Sequence, residues 1–263
     1  MNILDRIVIR KKEEVALAKE MVSIAQLEQS KYFNRKPYAL KTFLLDPSRT
    51  GIIAEFKRRS PSKGLINGSA SVAAVTSGYA AAGASALSVL TDQDFFGGSP
   101  EDLALAREAN EIPILRKDFI IDTYQIIEAK AMGADIILLI AAILTPEEIA
   151  DFASKAKELG LSVLLEVHSL EELQRSISTN IDAIGVNNRN LADFTVNLQH
   201  SFDLVNEIPE GVMKISESAI SDPSTIIELK KAGFNGFLIG ENFMKTADPA
   251  AEMERFVSKL IPV

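Results

Sequence analysis

The chain reads as an α/β protein of the (β/α)8 TIM-barrel class, and three features predict it. Eight short runs rich in Ile, Val and Leu recur at 51–56, 86–90, 112–115, 134–140, 162–167, 182–186, 212–215 and 236–239. Their starts lie roughly 20–35 residues apart, with helical patterns filling the gaps, as alternating β and α units require. Gly83, Gly133, Gly160 and Gly233 each follow a helical stretch and precede a run, where a glycine ends a helix at no steric cost.

The runs are continuous, not alternating, which suits parallel strands covered on both faces. Eight such units with no second domain give a closed barrel. An open doubly wound sheet is the competing arrangement, but its first turn is normally glycine-rich and "AEFKRRSPSKG" is not. Ahead of the barrel, residues 3–28 carry an amphipathic helical pattern, and "NRKPY" and "DPSRTG" break it. Residues 1–48 are therefore expected to form a helical extension over one end of a single domain spanning 1–263.

Composition narrows the function. The 263 residues are 47% hydrophobic and 24% charged, within the range of globular proteins. Cysteine is absent, which excludes thiol catalysis and thiolate metal sites and fits a reducing cytoplasmic setting. The N-terminal segment has no apolar stretch of signal-peptide type. The longest apolar run, "ADIILLIAAIL", is about half of what a bilayer needs, so no membrane partner is expected. A net charge of −8 argues against nucleic acid, and it obliges any anionic ligand to find a local basic patch.

Barrel chemistry sits where strands end, and here those positions are polar. "PILRKDFI" drives the third strand into Arg116, Lys117 and Asp118. The first strand ends in Glu55 and Lys57, two apart and so on one face. The fifth supplies Glu166 and His168, the sixth Asn187, Asn188 and Arg189, the seventh Ser216, Glu217 and Ser218, and the eighth Gly240 and Glu241. The fourth ends in apolar residues that would make a wall. The last two strands form the usual phosphate-binding corner, where backbone N–H groups can hold a dianion. Each polar residue also has a plain structural reading. Glu166 suits a carboxylate paired with a lysine, Lys117 a solvated charge, and Arg58, Arg59 and Lys63 a solvated loop. His168 suits a supporting role beside Glu166, and His200 a surface position. Lys214 suits either a Schiff base or an interior ion pair.

These motifs carry a resemblance. "IIAEFKRRSPSKG" (52–64), "LRKDF", "LLEVH", "GVNNR", "SES" and "LIG" resemble, in order, the strand-end motifs of the indole-3-glycerol phosphate synthase family. The resemblance implies a carboxy-lyase of tryptophan biosynthesis. It would close 1-(2-carboxyphenylamino)-1-deoxyribulose 5-phosphate into an indole with loss of CO2 and water, without cofactor or metal. It implies Lys117 as general acid, Glu166 as general base and Glu55 as the group assisting proton transfer. Lys57 would anchor a substrate anion, and Asn187, Arg189 and Glu217 would position substrate and carboxylates. Ser60, Pro61, Phe96 and Phe119 would enclose the anthranilate ring. Ser218, Ala219, Gly240 and Glu241 would hold the phosphate. Ala219 departs from the family's glycine, which is tolerable if its backbone angle is ordinary. The chain is expected to act on its small substrate as a monomer or weak homodimer. A Schiff-base aldolase using Lys117 or Lys214 and a non-catalytic phosphate-binding barrel are the competing readings.

Overall fold

A computed structural model of the chain, describing residues 3–190 and 194–260, closes the eight runs into one parallel barrel. The barrel strands are, in order, Ile52–Phe56, Ala86–Leu90, Ile114–Lys117, Ile136–Ile140, Ser162–Val167, Ala183–Asn187, Met213–Glu217 and Gly236–Ile239. Strand 8 closes on strand 1 with Ile52 opposite Phe237 and Ala54 opposite Ile239. Between them lie helices with local start and stop signals. Ser99, Asp122, Thr145 and Asp222 each cap a helix through their side chains. Gly133 and Gly233 end two helices at φ 94° and 111°, angles that a side chain would strain.

Alternation along each strand divides the apolar residues between two layers. Ile52, Ala54, Leu87, Val89, Ile137, Leu139, Val163 and Leu165 pack outward against the helices. Ile53, Leu115, Ile136, Leu138, Leu164, Ile215 and Leu238 fill the barrel interior. Strands 3, 6 and 7 run further than their apolar stretches indicate, to Lys117, Asn187 and Glu217. The ladder uses backbone groups, so it continues past the last apolar residue: Lys117 still lies opposite Leu90, and Glu217 opposite Asn187. The polar ends of these strands are therefore held as rigidly as their cores.

The N-terminal extension differs from the expected layer in two respects. Residues 3–28 are not one helix but two, Ile3–Met21 and Ile24–Glu28, because Ser23 caps the second in a reciprocal box with Gln26. The extension also reaches both ends of the barrel. Ile3, Leu4 and Ile7 lean over the mouth, where the strands end. Further on, the Tyr38 N–H donates to Asp135 at 2.7 Å, tying the chain beneath the barrel. Helix Leu40–Leu44 then drives Leu40 and Leu44 into the lower opening. Gly236 leaves room for this plug, since a Cβ there would meet Leu44 Cδ1 at 3.1 Å.

Leu44 is 4% exposed and packs in the apolar cluster inside the barrel. Leu44→Ala should lower unfolding free energy by about 2–5 kcal/mol. Urea denaturation measures this, and turnover at room temperature should stay unchanged because the plug lies far from the mouth. A loss of under about 1 kcal/mol would show that the lower end repacks freely.

Candidate active site

At the mouth, inward-pointing positions of successive strands turn polar together. Glu55 and Lys57 follow Ile53 on strand 1, and Lys117 follows Leu115 on strand 3. Glu166 follows Leu164 on strand 5, and Glu217 follows Ile215 on strand 7. These side chains form the floor of a cavity of about 490 Å3. The Lys117 ammonium is shared, 2.7 Å from Glu166 Oε2 and 3.0 Å from Glu217 Oε2. Lys57 Nζ lies 2.8 Å from Glu55 Oε1. Asn187 Nδ2 donates to Glu166 Oε1 at 3.0 Å, and Ser218 Oγ donates to Asn187 Oδ1 at 2.9 Å, linking the floor to the far corner. Phe96 and Phe119 meet at 5.9 Å between centroids on one side, beside Ser60 and Pro61. Leu138 and Ile140 make the wall expected of strand 4.

Two glycines make this packing of carboxylates possible. A Cβ at Gly185 would stand 2.0 Å from Glu217 Oε1, and one at Gly240 would stand 2.5 Å from Glu55 Oε1. Gly240 has a negative φ, so what it provides is space and not an unusual turn.

Burial and charge set the proton affinities. Burial alone would lower the Lys117 amine, but Glu166, Glu217 and Glu55 outweigh it and hold the amine above its ordinary value. Desolvation alone therefore does not make it a readier acid. Burial would raise Glu166, yet Lys117 and the neighbouring His168 imidazole pull it below the usual carboxylate range. Glu217 goes the other way, with burial and the neighbouring Glu166 and Glu55 pushing it up to about 7 against the pull of Lys117. His168 sits between Glu166 and Glu172, 3.3 Å from each, and is raised to about 9 despite burial. It touches Glu166 directly, in the supporting position the sequence suggests.

The corner beyond strand 7 departs from expectation. Ser218 and Ala219 adopt φ 67° and 62°, successive left-handed residues without glycine. The methyl group of Ala219 is thus carried on a strained backbone, not an ordinary one. Arg189 reaches this corner, its Nη2 3.5 Å from Glu241 Oε2, and Lys63 lies 3.7 Å from Glu241 Oε1. Helix Glu241–Met244 begins at Gly240, whose carbonyl accepts from Phe243 and Met244.

Every site residue nominated above lines this one cavity. Of the neighbouring charges, Lys63 and Asp118 also border it, and Arg116 does not. Arg116 points away from Lys117, because neighbours on a strand face opposite sides, and Asp118, just past the strand end, pairs with Arg116. Arg116 pairs with Glu128 at 2.7 Å and with Asp118 at 3.0 Å in a separate buried network. Lys214 donates to the Val205 carbonyl at 2.6 Å, outside the barrel, which removes it as a Schiff-base candidate at the mouth. Arg58 pairs with Asp102 and is not a free loop charge. Sequence reasoning missed Ile3, Leu4, Ile7, Phe194 and Lys245 as lining residues. The first three carried a signal in the apolar stripe of the N-terminal helix, and the other two carried none.

Comparison with known proteins finds relatives along nearly the whole chain. A family model described as indole-3-glycerol phosphate synthase matches residues 4–256. Among relatives of that same name, one from Bacteroides thetaiotaomicron is 49% identical over 98% of this chain and 99% of its own. One from Laribacter hongkongensis is 45% identical over 96% and 97%. Among solved structures, a 3-hexulose-6-phosphate synthase superposes with a TM-score of 0.63 at 14% identity, covering 81% of this chain and 100% of that one. Such distant likeness speaks for the fold alone. Among the described residues no helix is long and apolar enough to cross a membrane.

Two outcomes are expected from the site's geometry. A carboxyl whose folded pKa lies above its unfolded value contributes stability through its bound proton, fully below that unfolded value and lost as pH climbs through the folded one. For Glu217 the window runs from 4.5 to about 7. Glu217→Gln should therefore match the parent in thermal stability at the acid end and gain on it steadily across this window. A gap that is constant with pH would contradict the raised carboxyl. Separately, Ala219→Gly should raise unfolding free energy by about 0.5–1 kcal/mol, the left-handed strain relieved less the added chain entropy of glycine. Calorimetry measures it, and a loss of stability would mean the turn is not strained.

Proposed function

The chain belongs to the indole-3-glycerol phosphate synthase family, the carboxy-lyases of tryptophan biosynthesis, and we propose that the residues at the barrel mouth divide the ring closure among them. The observation that carries this reading is the Lys117 ammonium, held between Glu166 and Glu217 on the floor of a cavity walled by aromatic rings. The substrate is 1-(2-carboxyphenylamino)-1-deoxyribulose 5-phosphate. Its anthranilate ring lies against Phe96 and Phe119, with Ser60 and Pro61 closing over it. Its phosphate sits at Ser218, Ala219, Gly240 and Glu241, where backbone amides can hold an anion without net charge. Arg189 and Asn187 keep the chain between these ends in line.

With the ends fixed, the ketose carbonyl falls beside Lys117. The ring carbon bearing the carboxylate attacks the carbonyl carbon while Lys117 passes a proton to the oxygen. Loss of the carboxyl group as CO2 returns its electron pair to the ring. Glu166 then removes a proton from the carbon beside the nitrogen while the new hydroxyl takes up a proton, with Glu55 assisting the transfer, and leaves as water, and the indole is complete. Glu55 holds Lys57, whose ammonium partners a substrate anion, and assists the proton transfers. Glu217 shares the Lys117 ammonium, and its carboxyl near 7 lets it gain or give a proton as the charge around that lysine changes. A positioned acid or base of this kind contributes about 10²–10⁴ in rate. A phosphorylated substrate does not cross membranes unaided, which places the activity in the cytoplasm. The chain works on it as a monomer or weak homodimer. An aldolase reading is weaker because Lys117 is held protonated by its carboxylates, whereas a Schiff-base lysine must present a neutral amine.

The protein contains no Trp, so indole fluorescence that appears on adding substrate comes from product alone. Lys117→Met should abolish that signal, a drop of at least about 10²-fold, while far-UV circular dichroism stays unchanged. Turnover by a folded Lys117→Met protein at the parental rate would remove Lys117 from the mechanism.

A further inference from the structure

A buried lysine of the N-terminal helix remains outside this account. In helix Ile3–Met21 the buried residues are Ile7, Lys11 and Val15, spaced four apart along a single stripe. A lysine in an apolar stripe is costly unless it is paired. Lys11, with its side chain 4% exposed, lies 2.6 Å from Glu14 Oε2 on its own helix. From there it reaches into the barrel, 3.0 Å from Asp92 Oδ2 and 3.0 Å from Asp118 Oδ1. These two aspartates follow barrel strands 2 and 3, and each holds the backbone of an aromatic residue. Asp92 Oδ1 accepts from the N–H groups of Phe95 and Phe96 at 2.9 and 3.1 Å. Asp118 Oδ1 accepts from the N–H of Phe119 at 2.8 Å.

The two aspartates are unequally supported. Asp118 also receives Thr91 and Arg116. Asp92 is fully buried, and its Oδ2 has no hydrogen-bond donor, so the Lys11 ammonium is the cation that faces it.

We propose that Lys11 is a positioning residue for the ring-binding side of the site: it bridges Asp92 and Asp118 so that Phe96 and Phe119 are held as one facing pair. The proposal rests on the reading that this pair encloses the anthranilate ring. Removing the Lys11 charge leaves the buried Asp92 carboxylate with no cation facing its Oδ2. Its carboxylate then turns toward water, releases the Phe95 and Phe96 amides, and frees the Phe96 side of the clamp. The phosphate corner, built on strands 7 and 8, makes none of these contacts. The N-terminal helix thereby acts on binding through the barrel loops as well as through its own Ile3, Leu4 and Ile7.

The test measures competitive inhibition of indole formation by two probes. One is the borohydride-reduced substrate, which carries the ring but no carbonyl to attack, and the other is inorganic phosphate. Lys11→Met should raise KM and the inhibition constant of the reduced substrate by about tenfold or more, with kcat changed less and the constant for phosphate unchanged. Lys11→Arg, which keeps the charge, should behave as the parent. Adding Asp92→Asn to Lys11→Met removes the stranded charge but keeps the acceptor for the two amides, and should restore most of the lost affinity. The proposal is overturned if the Lys11→Met constants match the parent's, if both probes weaken by the same factor, or if Asp92→Asn restores nothing. Should Lys11→Met fail to fold, the pair Asp92→Asn and Asp92→Ala decides. The Asn variant must bind the reduced substrate tightly and the Ala variant weakly, and equal binding by the two overturns the proposal. A parent protein that makes no indole would instead overturn the assigned reaction, so the two failures are distinct.

Discussion

Lys117 is shared by two carboxylates, and much of the barrel mouth follows from what that sharing requires. The side chains of Glu55, Glu166 and Glu217 are 4%, 5% and 2% exposed. An unpaired carboxylate in such a place costs several kcal/mol even after the surroundings relax. Lys57 and Lys117 supply two positive charges against three potential negative ones, and His168, charged up to about 9, supplies a third beside Glu166. The compensation is uneven because Lys117 lies closer to Glu166. Of the two carboxylates that share it, Glu217, raised by burial and by Glu166, keeps its proton the longer. Its Oε1 has no hydrogen-bond partner and abuts the space that Gly185 leaves open.

The N-terminal extension joins the two ends of the barrel. Leu40 and Leu44 plug the lower opening, where packing contributes stability and touches no chemistry. Ile3, Leu4 and Ile7 crown the upper one, where apolar surface is left for a ligand to cover. Between them the chain is tied to strands 4 and 5 by Tyr38 and Leu40, whose amides donate to Asp135 and to Ser162. A packed plug at the bottom and an apolar wall at the top thus come from one continuous segment. This division suits barrels, in which stability and activity are set at opposite faces.

What the sequence revealed, and what it hid, follows from the kind of signal each feature needs. Glu55 with Lys57 and Glu166 with His168 were legible because a two-residue spacing on a strand fixes a shared face without further information. Arg116 obeys the same rule in reverse, since preceding Lys117 places it on the opposite side. Composition alone made Arg116, Lys117 and Asp118 look like one cluster; alternation separates Arg116 from it, while Asp118 lies past the strand end and still borders the cavity. The lower plug was not legible: Leu40 and Leu44 sit in a short apolar stretch like many others, and only the lower opening selects them. Nor was the left-handed turn at Ser218 and Ala219, because both residues are ordinary in extended backbone and nothing nearby marks a positive φ. Lys11 lay in between. Its place in the stripe Ile7, Lys11, Val15 was visible, but its partners Asp92 and Asp118 lie some eighty residues or more away in the chain.

The same charge pattern explains how a chain with a net charge of −8 can receive a substrate that is itself anionic. The global field repels such a ligand, but within about 10 Å local charges dominate at physiological salt. Near the mouth those charges are Lys57, Lys63, Arg189 and Lys245, with Glu241 set among them. Each of these cations that has a partner has a carboxylate for it: Glu55 for Lys57, and Glu241 for both Lys63 and Arg189. A substrate carboxylate or phosphate can take the place of such a partner without exposing an uncompensated cation. What it displaces is a carboxylate, and one route by which a buried carboxylate tolerates losing its cation is to take up a proton. A floor with one carboxyl already near neutrality accommodates that exchange at small cost, whereas a floor of fully ionised carboxylates would resist it. Glu217, raised to about 7 by burial and by Glu166 and Glu55, is a carboxyl of this floor suited to that exchange.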